Sequence, residues 1–177
     1  MKQQLNIDKI LAKKSLGQNF ITDKNFLNKI SSYIHSNENT NIIEIGPGKG
    51  ALTKFLVKKK YKSLILIEKD KMLASKLAQQ FIHNKKIKIE NQDALYIKYK
   101  DIDLFGENII VGNLPFNIST QLLFRWLDSY EWPPFYSRMI LMFQKEVADR
   151  IVAKQNTKNY GRLSVSAQSR CKINKLM

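Results

Sequence analysis

Short β-branched apolar runs alternate with amphipathic stretches along the 177 residues of the chain. The runs predict five strands, at residues 41–45, 63–67, 86–90, 108–112 and 139–143. Stretches with helical spacing of apolar residues come before the first run and after the first, second, fourth and fifth. This alternation is typical of βαβ units, and it predicts an α/β fold with a mostly parallel sheet covered by helices on both faces.

Two of the predicted helices have particularly clear signals. Asp23 can cap the stretch KNFLNKISSYIHS, whose apolar positions share one face: Phe26, Leu27, Ile30, Tyr33 and Ile34. A second helix begins near Ser119, and its predicted buried stripe is Leu122, Leu123, Trp126 and Leu127. Because crossovers between parallel strands are right-handed, the carboxyl ends of all strands should meet at one edge of the sheet. We therefore expect ligand-binding residues directly after the strands.

Three of the strands are followed by residues suited to a nucleotide-like ligand. The loop after the first strand, EIGPGKGALT, contains Gly46, Gly48 and Gly50, which permit a sharp turn and a close approach of ligand to backbone. Its spacing leaves NAD, S-adenosylmethionine and a tight turn without ligand all open. Glu68, after the second strand, can accept hydrogen bonds from ribose hydroxyls, and Asp93, after the third, from the amine of an adenine.

The fourth strand ends in Asn113, Leu114, Pro115 and Phe116. A hydride-transfer enzyme has no need of these residues, whereas a methyltransferase acting on an exocyclic amine must make a delocalised nitrogen nucleophilic. The side-chain carbonyl of Asn113 and the backbone carbonyl of Leu114 can each accept one amine N–H. Pro115 stiffens that turn, and Phe116 offers a face on which an unstacked base can lie. The alternative is an ordinary turn with a core aromatic.

The amino-acid composition restricts the kinds of partner that the protein can bind, but it does not indicate which reaction the protein catalyses. The net charge of +15 favours a polyanion such as nucleic acid, although the 25 lysines against 5 arginines also fit a coding bias. No apolar run approaches the ~18 residues of a membrane span, and the N-terminus lacks a signal-peptide pattern, so a cytoplasmic protein without membrane contact is expected. The single cysteine, Cys171, cannot form an internal disulfide, and His35 and His83 show no metal-ligand pattern.

Taken together and in order, seven motifs resemble the ribosomal RNA adenine N6-dimethyltransferase family, most closely its small-subunit branch. They are LGQNFITD (16–23), EIGPGKGALT, IEKD, QDAL, GNLPFNIST, QKEVADRIVA and KNYGRLSV. The resemblance implies the Rossmann-like fold of class I methyltransferases, with S-adenosylmethionine as cofactor. The implied reaction is dimethylation of N6 of two adjacent adenosines in the 3′-terminal hairpin loop of small-subunit ribosomal RNA. It implies a monomer acting on an immature small ribosomal subunit.

The resemblance also implies roles for individual residues. Asn19 and Ile21 would line the cofactor site, Gly46 would approach the methionine part, and Asn113 would touch both cofactor and target. We further expect five residues to contact RNA, mainly its phosphates, with solvated side chains as the alternative: Lys13, Lys14, Lys158, Tyr160 and Arg162.

The family pattern continues beyond GRLSV with a returning antiparallel strand and a small helical domain, which this sequence does not contain. We therefore expect residues 1–177 to form a catalytic domain without that last antiparallel strand and without the helical domain. Residues 139–143 would then be an exposed apolar edge. Residues 161–177 would pack poorly or pair in a way that differs from the family, and stability would be marginal. Two functions stay open: an active, if impaired, RNA dimethyltransferase, or a non-catalytic RNA- or ribosome-binding remnant. An NAD-linked enzyme is a distant third.

Overall fold

The computed structural model describes residues 21–128 and 133–177. A short 3-10 helix, Tyr99–Asp101, lies between the third and fourth strands. In chain order the other elements are α1 (Lys24–Ser32), β1 (Thr40–Ile45), α2 (Thr53–Leu56), β2 (Ser63–Ile67), α3 (Lys71–Gln80), β3 (Ile87–Glu90), β4 (Glu107–Asn113), α4 (Ser119–Leu127), β5 (Arg138–Met142), α5 (Lys145–Ile151) and α6 (Arg162–Arg170). All five predicted strands are confirmed, each within one residue at either end.

The five strands form one parallel sheet in the order β3-β2-β1-β4-β5. β1 is central, and its Ile43 is in register with Ile65 of β2 and Ile110 of β4. The chain reverses its direction of progress across the sheet between β3 and β4, so the crevice for a ligand lies beyond the carboxyl ends of β1 and β4.

Apolar layers cover both faces of the sheet. Ile42 on one face packs in a cluster with residues of α1 and α2, whereas Ile43 on the other face packs with Leu122 and Trp126 of α4. This is why the strands are nearly continuous apolar runs instead of alternating ones. The predicted stripe of α4 is confirmed, because its four residues are all buried. None of the helices in the described ranges has the length and apolarity needed to cross a membrane.

Side-chain caps fix where two helices begin. The Asp23 carboxylate accepts hydrogen bonds from the backbone N–H groups of Asn25 (2.8 Å) and Phe26 (3.2 Å), which confirms the predicted cap of α1. Asp70 caps α3 in the same way, accepting from Met72 at 2.9 Å and Leu73 at 3.3 Å. Such caps are worth ~1 kcal/mol each because they satisfy N–H groups that have no partner within the helix.

The expectation for the C-terminal residues is half right. β5 lies at an edge of the sheet, as predicted, and the described residues contain no antiparallel strand. The expectation of poor packing is wrong for residues 162–170, which form α6, whose Leu163 and Ala167 are buried against α4 and α5. Residues 171–177 form no helix or strand, and most of them are exposed. The side-chain amide of Gln168 donates to the backbone carbonyls of Ile151 (3.0 Å) and Ala153 (2.8 Å). Leu163 and Ala167 are four residues apart, so they lie on the same face of a helix. A helix therefore buries both side chains against the same neighbours.

Candidate active site

A cavity of about 720 Å³ opens at the carboxyl edge of the sheet. The ends of β1, β2 and β4, the loops that follow them and the start of α1 all contribute to its wall. This volume lies within the range of ~300–1,000 Å³ common for small-molecule and cofactor sites. Its lining includes the following predicted cofactor residues: Ile21, Gly46, Gly48, Glu68, Asp93 and Asn113.

The glycine-rich loop takes a backbone shape that other residues rarely adopt. Gly46 has φ +64° and Gly48 has φ +58°, both in the left-handed region that favours glycine. The N–H of Gly46 donates to the carbonyl of Ile67 at 2.9 Å, which ties the loop to the end of β2. The loop therefore presents backbone, without side-chain bulk at these positions, to the cavity.

Glu68 braces this loop and is itself held in place. One carboxylate oxygen accepts the N–H of Gly48 at 3.0 Å and the other accepts the N–H of Asp70 at 2.8 Å. Burial raises the pKa of Glu68 above its ordinary value, while these backbone N–H groups act against the rise. A carboxylate with both oxygens anchored can still accept from a ligand through its remaining lone pairs, so it suits a pair of ribose hydroxyls.

Asp93 is held by Lys69, a contact that the sequence did not reveal. The ammonium of Lys69 lies 2.8 Å from one oxygen of Asp93, and the N–H of Leu95 donates to the other at 3.0 Å. Burial acts to raise the pKa of Asp93, but the hydrogen bonds from Lys69 and Leu95 and the lysine charge outweigh it, so the pKa is lowered. Asp93 is therefore an ionised acceptor at the cavity wall, suited to the amine of an adenine.

The residues of the motif at the end of β4 lie in three different environments: the cavity wall, the core and the surface. Asn113 is the last residue of β4, in register with Met142, and it lines the cavity together with Pro115. Leu114 is buried, at 1% exposure, so its side chain anchors the turn in the core. Phe116 is 38% exposed, as a ring must be if a base is to stack on it. The structure thus brings the amide and the aromatic ring to the same edge as Glu68 and Asp93.

Glu44 was not singled out from the sequence, although it lines the same cavity. It is 3% exposed, and its carboxylate accepts a hydrogen bond from the Thr53 hydroxyl at 2.7 Å. Burial raises the pKa of Glu44 to about 8, and the charge of Glu68 adds to the rise, against the effect of Thr53. The sequence contains one signal that could have identified Glu44, because it is an acidic residue between two isoleucines of a fully buried strand. Burying a carboxyl group costs free energy, so an acid at such a position indicates a specific role.

The raised pKa of Glu44 predicts that stability falls with rising pH. The unfolded chain releases this proton near the ordinary value of 4.5, whereas the folded protein holds it up to about 8. Between these values the folded state binds more protons, so the free energy of unfolding decreases by up to ~1.4 kcal/mol per pH unit. Glu44→Gln should make this slope shallower, as measured by urea unfolding from about pH 5 to 8. Glu68 contributes in the same direction in both proteins, so an equally steep slope in the variant would contradict the assignment.

The other predicted site residues fall outside this cavity or outside the described residues. Asn19, Lys13 and Lys14 belong to residues 1–20, which the structure does not describe. Lys158 and Arg162 are exposed and Tyr160 is half-buried, and none of these three is part of the described cavity lining. The guanidinium carbon of Arg162 lies 5.2 Å from the centre of the Phe124 ring. Their contact with RNA stays a prediction.

The fold and the site define a class of protein. The chain has three features of a class I S-adenosylmethionine-dependent methyltransferase: a parallel sheet in this strand order, a glycine-rich loop after β1, and acidic residues after β2 and β3. S-adenosylmethionine is the cofactor of this class. Solved structures of the class superimpose on the chain. A dimethyladenosine transferase from Plasmodium falciparum has a TM-score of 0.77 at 26% identity, covering 89% of this chain and 55% of its own. The 23S rRNA methyltransferase ErmE has a TM-score of 0.65 at 23% identity, covering 84% and 55%, and shows the fold alone.

Within that class, residues 10–177 match the family model "Ribosomal RNA adenine dimethylase", and the chain belongs to this family. Two relatives named ribosomal RNA small subunit methyltransferase A are similar over most of the chain. The protein of Pelagibacter ubique is 43% identical over 95% of this chain and 63% of its own length. That of Wolbachia pipientis wMel is 46% identical over 96% and 59%. The chain thus spans about 60% of the length of the curated relatives it matches.

Proposed function

We propose that this chain transfers methyl groups from S-adenosylmethionine to N6 of two adjacent adenosines in the 3′-terminal hairpin loop of small-subunit ribosomal RNA. The observation that carries the proposal is the position of Asn113, at the carboxyl end of β4 in the same cavity wall as Glu68 and Asp93. We propose residues 1–177 as the catalytic domain for this reaction. Its substrate would be RNA in an immature small subunit, met by a cytoplasmic monomer.

The residues present fit the cofactor. Gly46 and Gly48 would form the wall against its methionine and sulfonium parts, because the loop places backbone and no side chain at these two positions. Ile21 would line the site from the segment before α1. Glu68 would accept from the ribose hydroxyls and Asp93 from the adenine amine. When bound, S-adenosylmethionine supplies an electrophilic methyl group.

The same residues account for activation of a poor nucleophile. The lone pair of an adenine amine is delocalised into the base, so the nitrogen must be held in a geometry that releases it. In the first transfer to a base, the Asn113 side-chain carbonyl and the Leu114 backbone carbonyl would each accept one N–H and so aim the lone pair into the cavity. In the second transfer a single N–H remains, and one of the two carbonyls would accept it. The nitrogen would gain the methyl carbon as the carbon–sulfur bond breaks and the electron pair of that bond stays on sulfur. The proton that the nitrogen then loses would pass to water. The rate advantage then comes from positioning.

Phe116 would hold the target base outside its stack. Its ring is partly exposed three residues after Asn113 in the chain, and stacking on an aromatic ring is worth ~1–3 kcal/mol per base. We also propose that Lys158, Tyr160 and Arg162, together with Lys13 and Lys14, contact the RNA, mainly at phosphates. A guanidinium that rests on an aromatic face keeps its in-plane N–H donors available, so the contact of Arg162 with Phe124 is compatible with that role.

Methyl incorporation tests the proposal directly. The chain would be incubated with methyl-labelled S-adenosylmethionine and small ribosomal subunits that lack the modification. We expect label on N6 of two adjacent adenosines, with two methyl groups on each, and no label in subunits already modified. Binding to the subunits without incorporation would contradict the proposal and would favour an RNA-binding role without catalysis.

A further inference from the structure

A group of lysines lies at the edge of the sheet opposite the candidate active site. They occupy the two connections that lead into β2 and β3, at the amino ends of these strands. We call them the amino-edge lysines: Lys59, Lys60, Lys62, Lys85 and Lys86. All are exposed except Lys59, which is half-buried. The cavity chemistry described above uses none of them.

Backbone hydrogen bonds tie each of the two connections to a neighbouring strand. The N–H of Lys62 donates to the carbonyl of Thr40 at 2.8 Å, and the carbonyl of Lys86 accepts from Leu64 at 2.8 Å. Between the connections lies a pocket of about 250 Å³ whose wall includes Lys59, Lys60 and Lys86. The side-chain amide of Asn84 donates to the Tyr61 hydroxyl at 3.3 Å across the same wall. The positive charges are thus held on an ordered framework.

The charges of this group are only partly compensated. Glu38 supplies the one carboxylate in the described wall of the pocket, and it lies 3.1 Å from the Lys60 ammonium. Lys59, Lys85 and Lys86 form no ion pair with any residue in the ranges 21–128 and 133–177. Like charges held this close repel one another, and a polyanion that binds them relieves the repulsion and releases its own counterions.

An exposed aromatic ring adjoins the lysines. Phe105 is 83% exposed, and the Lys62 ammonium lies 5.3 Å from the centre of its ring and donates to its backbone carbonyl at 2.9 Å. A ring flanked by cations can stack with an unpaired base while the lysines meet the phosphates on either side. Folded acidic proteins offer carboxylates but no bases, so this combination favours RNA as the partner.

We propose that the amino-edge lysines form a second RNA-binding surface, separate from the active edge, that takes the phosphate backbone of a neighbouring segment of the RNA. A strand of five residues spans about 17 Å, so one nucleotide cannot reach both edges of the sheet. The surface would therefore orient the RNA on the protein without contacting the reacting base. The proposal goes beyond methyl transfer, and it rests on the proposed function only in taking RNA as the polyanion.

The salt dependence of RNA binding tests this surface. The probe is a labelled hairpin RNA with no adenosine in its loop, so the result does not depend on methyl transfer. Its affinity would be measured by fluorescence anisotropy at several salt concentrations for the chain and for the triple variant Lys59→Gln, Lys85→Gln, Lys86→Gln. The slope of log K against log salt is negative, and loss of three phosphate contacts should reduce its magnitude by about 2. The same loss should weaken binding on the order of 100-fold at ~0.1 M salt.

A matched control variant distinguishes the effect of losing this local surface from the effect of lowering the net charge of the protein. The variant Lys98→Gln, Lys100→Gln, Lys172→Gln removes three exposed lysines elsewhere and should leave the slope nearly unchanged. Equal losses in both variants, an unchanged slope in the first, or no salt-dependent binding by the unaltered chain would each overturn the proposal. So would polyglutamate competing as well as RNA of the same charge, since that would identify an acidic protein as the partner. Both variants should keep the far-UV circular dichroism of the unaltered chain.

Discussion

Replacing Asn113 with alanine should reduce methyl transfer by about 10³-fold while weakening cofactor binding only a few-fold, because one well-placed hydrogen-bonding group in an active site is worth roughly 10²–10³ in rate. The carbonyl of Asn113 would act on the amine, whereas Glu68 and Asp93 would supply the main polar contacts for the cofactor. The rate would be measured as label incorporated into unmodified small subunits, and cofactor binding by calorimetry on the free protein.

A second amide serves as the control for this variant. Asn159→Ala makes the same chemical change at an exposed position outside the described cavity lining, and should leave both measurements unaltered. Retained transfer in Asn113→Ala would refute the proposed activation of the amine. Equal loss of transfer and cofactor affinity would show instead that Asn113 acts by holding the cofactor.

Gly112→Ala should destabilise the protein by about 1–3 kcal/mol, because overpacking a close contact costs this much. A Cβ at Gly112 would lie 2.9 Å from the Ile45 carbonyl oxygen and 3.2 Å from a methyl of Leu114. Relief requires β1 and β4 to move apart where Asn113 enters the cavity, so methyl transfer should also fall, by about 10²-fold for a displacement near 1 Å. Thermal unfolding and the incorporation assay measure the two effects, and the melting temperature should drop by about 3–10 °C.

Gly161→Ala is the matched control for this strand variant. A Cβ at Gly161 would meet nothing within 4 Å, and its φ of −168° is extended backbone that any residue adopts. We therefore expect little change in melting temperature or in methyl transfer. Equal behaviour of the two alanine variants would show that β1 and β4 accommodate a methyl group, and would contradict the argument from the Ile45 contact.

Several residues of the cavity could be anticipated because their positions depend on local features of the chain. Gly46, Glu68 and Asn113 follow directly on strands that the apolar pattern already predicts, and Asp93 is the third residue after another. The handedness of crossovers brings those positions to one edge. The position of each residue relative to its strand is therefore enough to predict that these residues lie at the same edge of the folded sheet. Three residues that were predicted to contact the cofactor, Glu68, Asp93 and Asn113, all line the cavity.

The contacts that tune these residues could not be anticipated in this way. The pairing of Lys69 with Asp93 joins two connections of the chain, and the proton held by Glu44 depends on how completely the surrounding elements exclude water. A pKa is a property of the assembled surroundings, so the presence of an acid in a motif does not reveal its charge.

The apolar pattern alone was sufficient for the strands, the parallel sheet and the active edge, since strand periodicity and crossover handedness are properties of the local chain. Only the tertiary structure could show that residues 162–170 close against α4 and α5 as a helix, since a short segment takes the shape in which its partners bury it. It also decided that lysines from two separate connections meet at the opposite edge. Both depend on contacts between residues far apart in sequence, which periodicity does not encode.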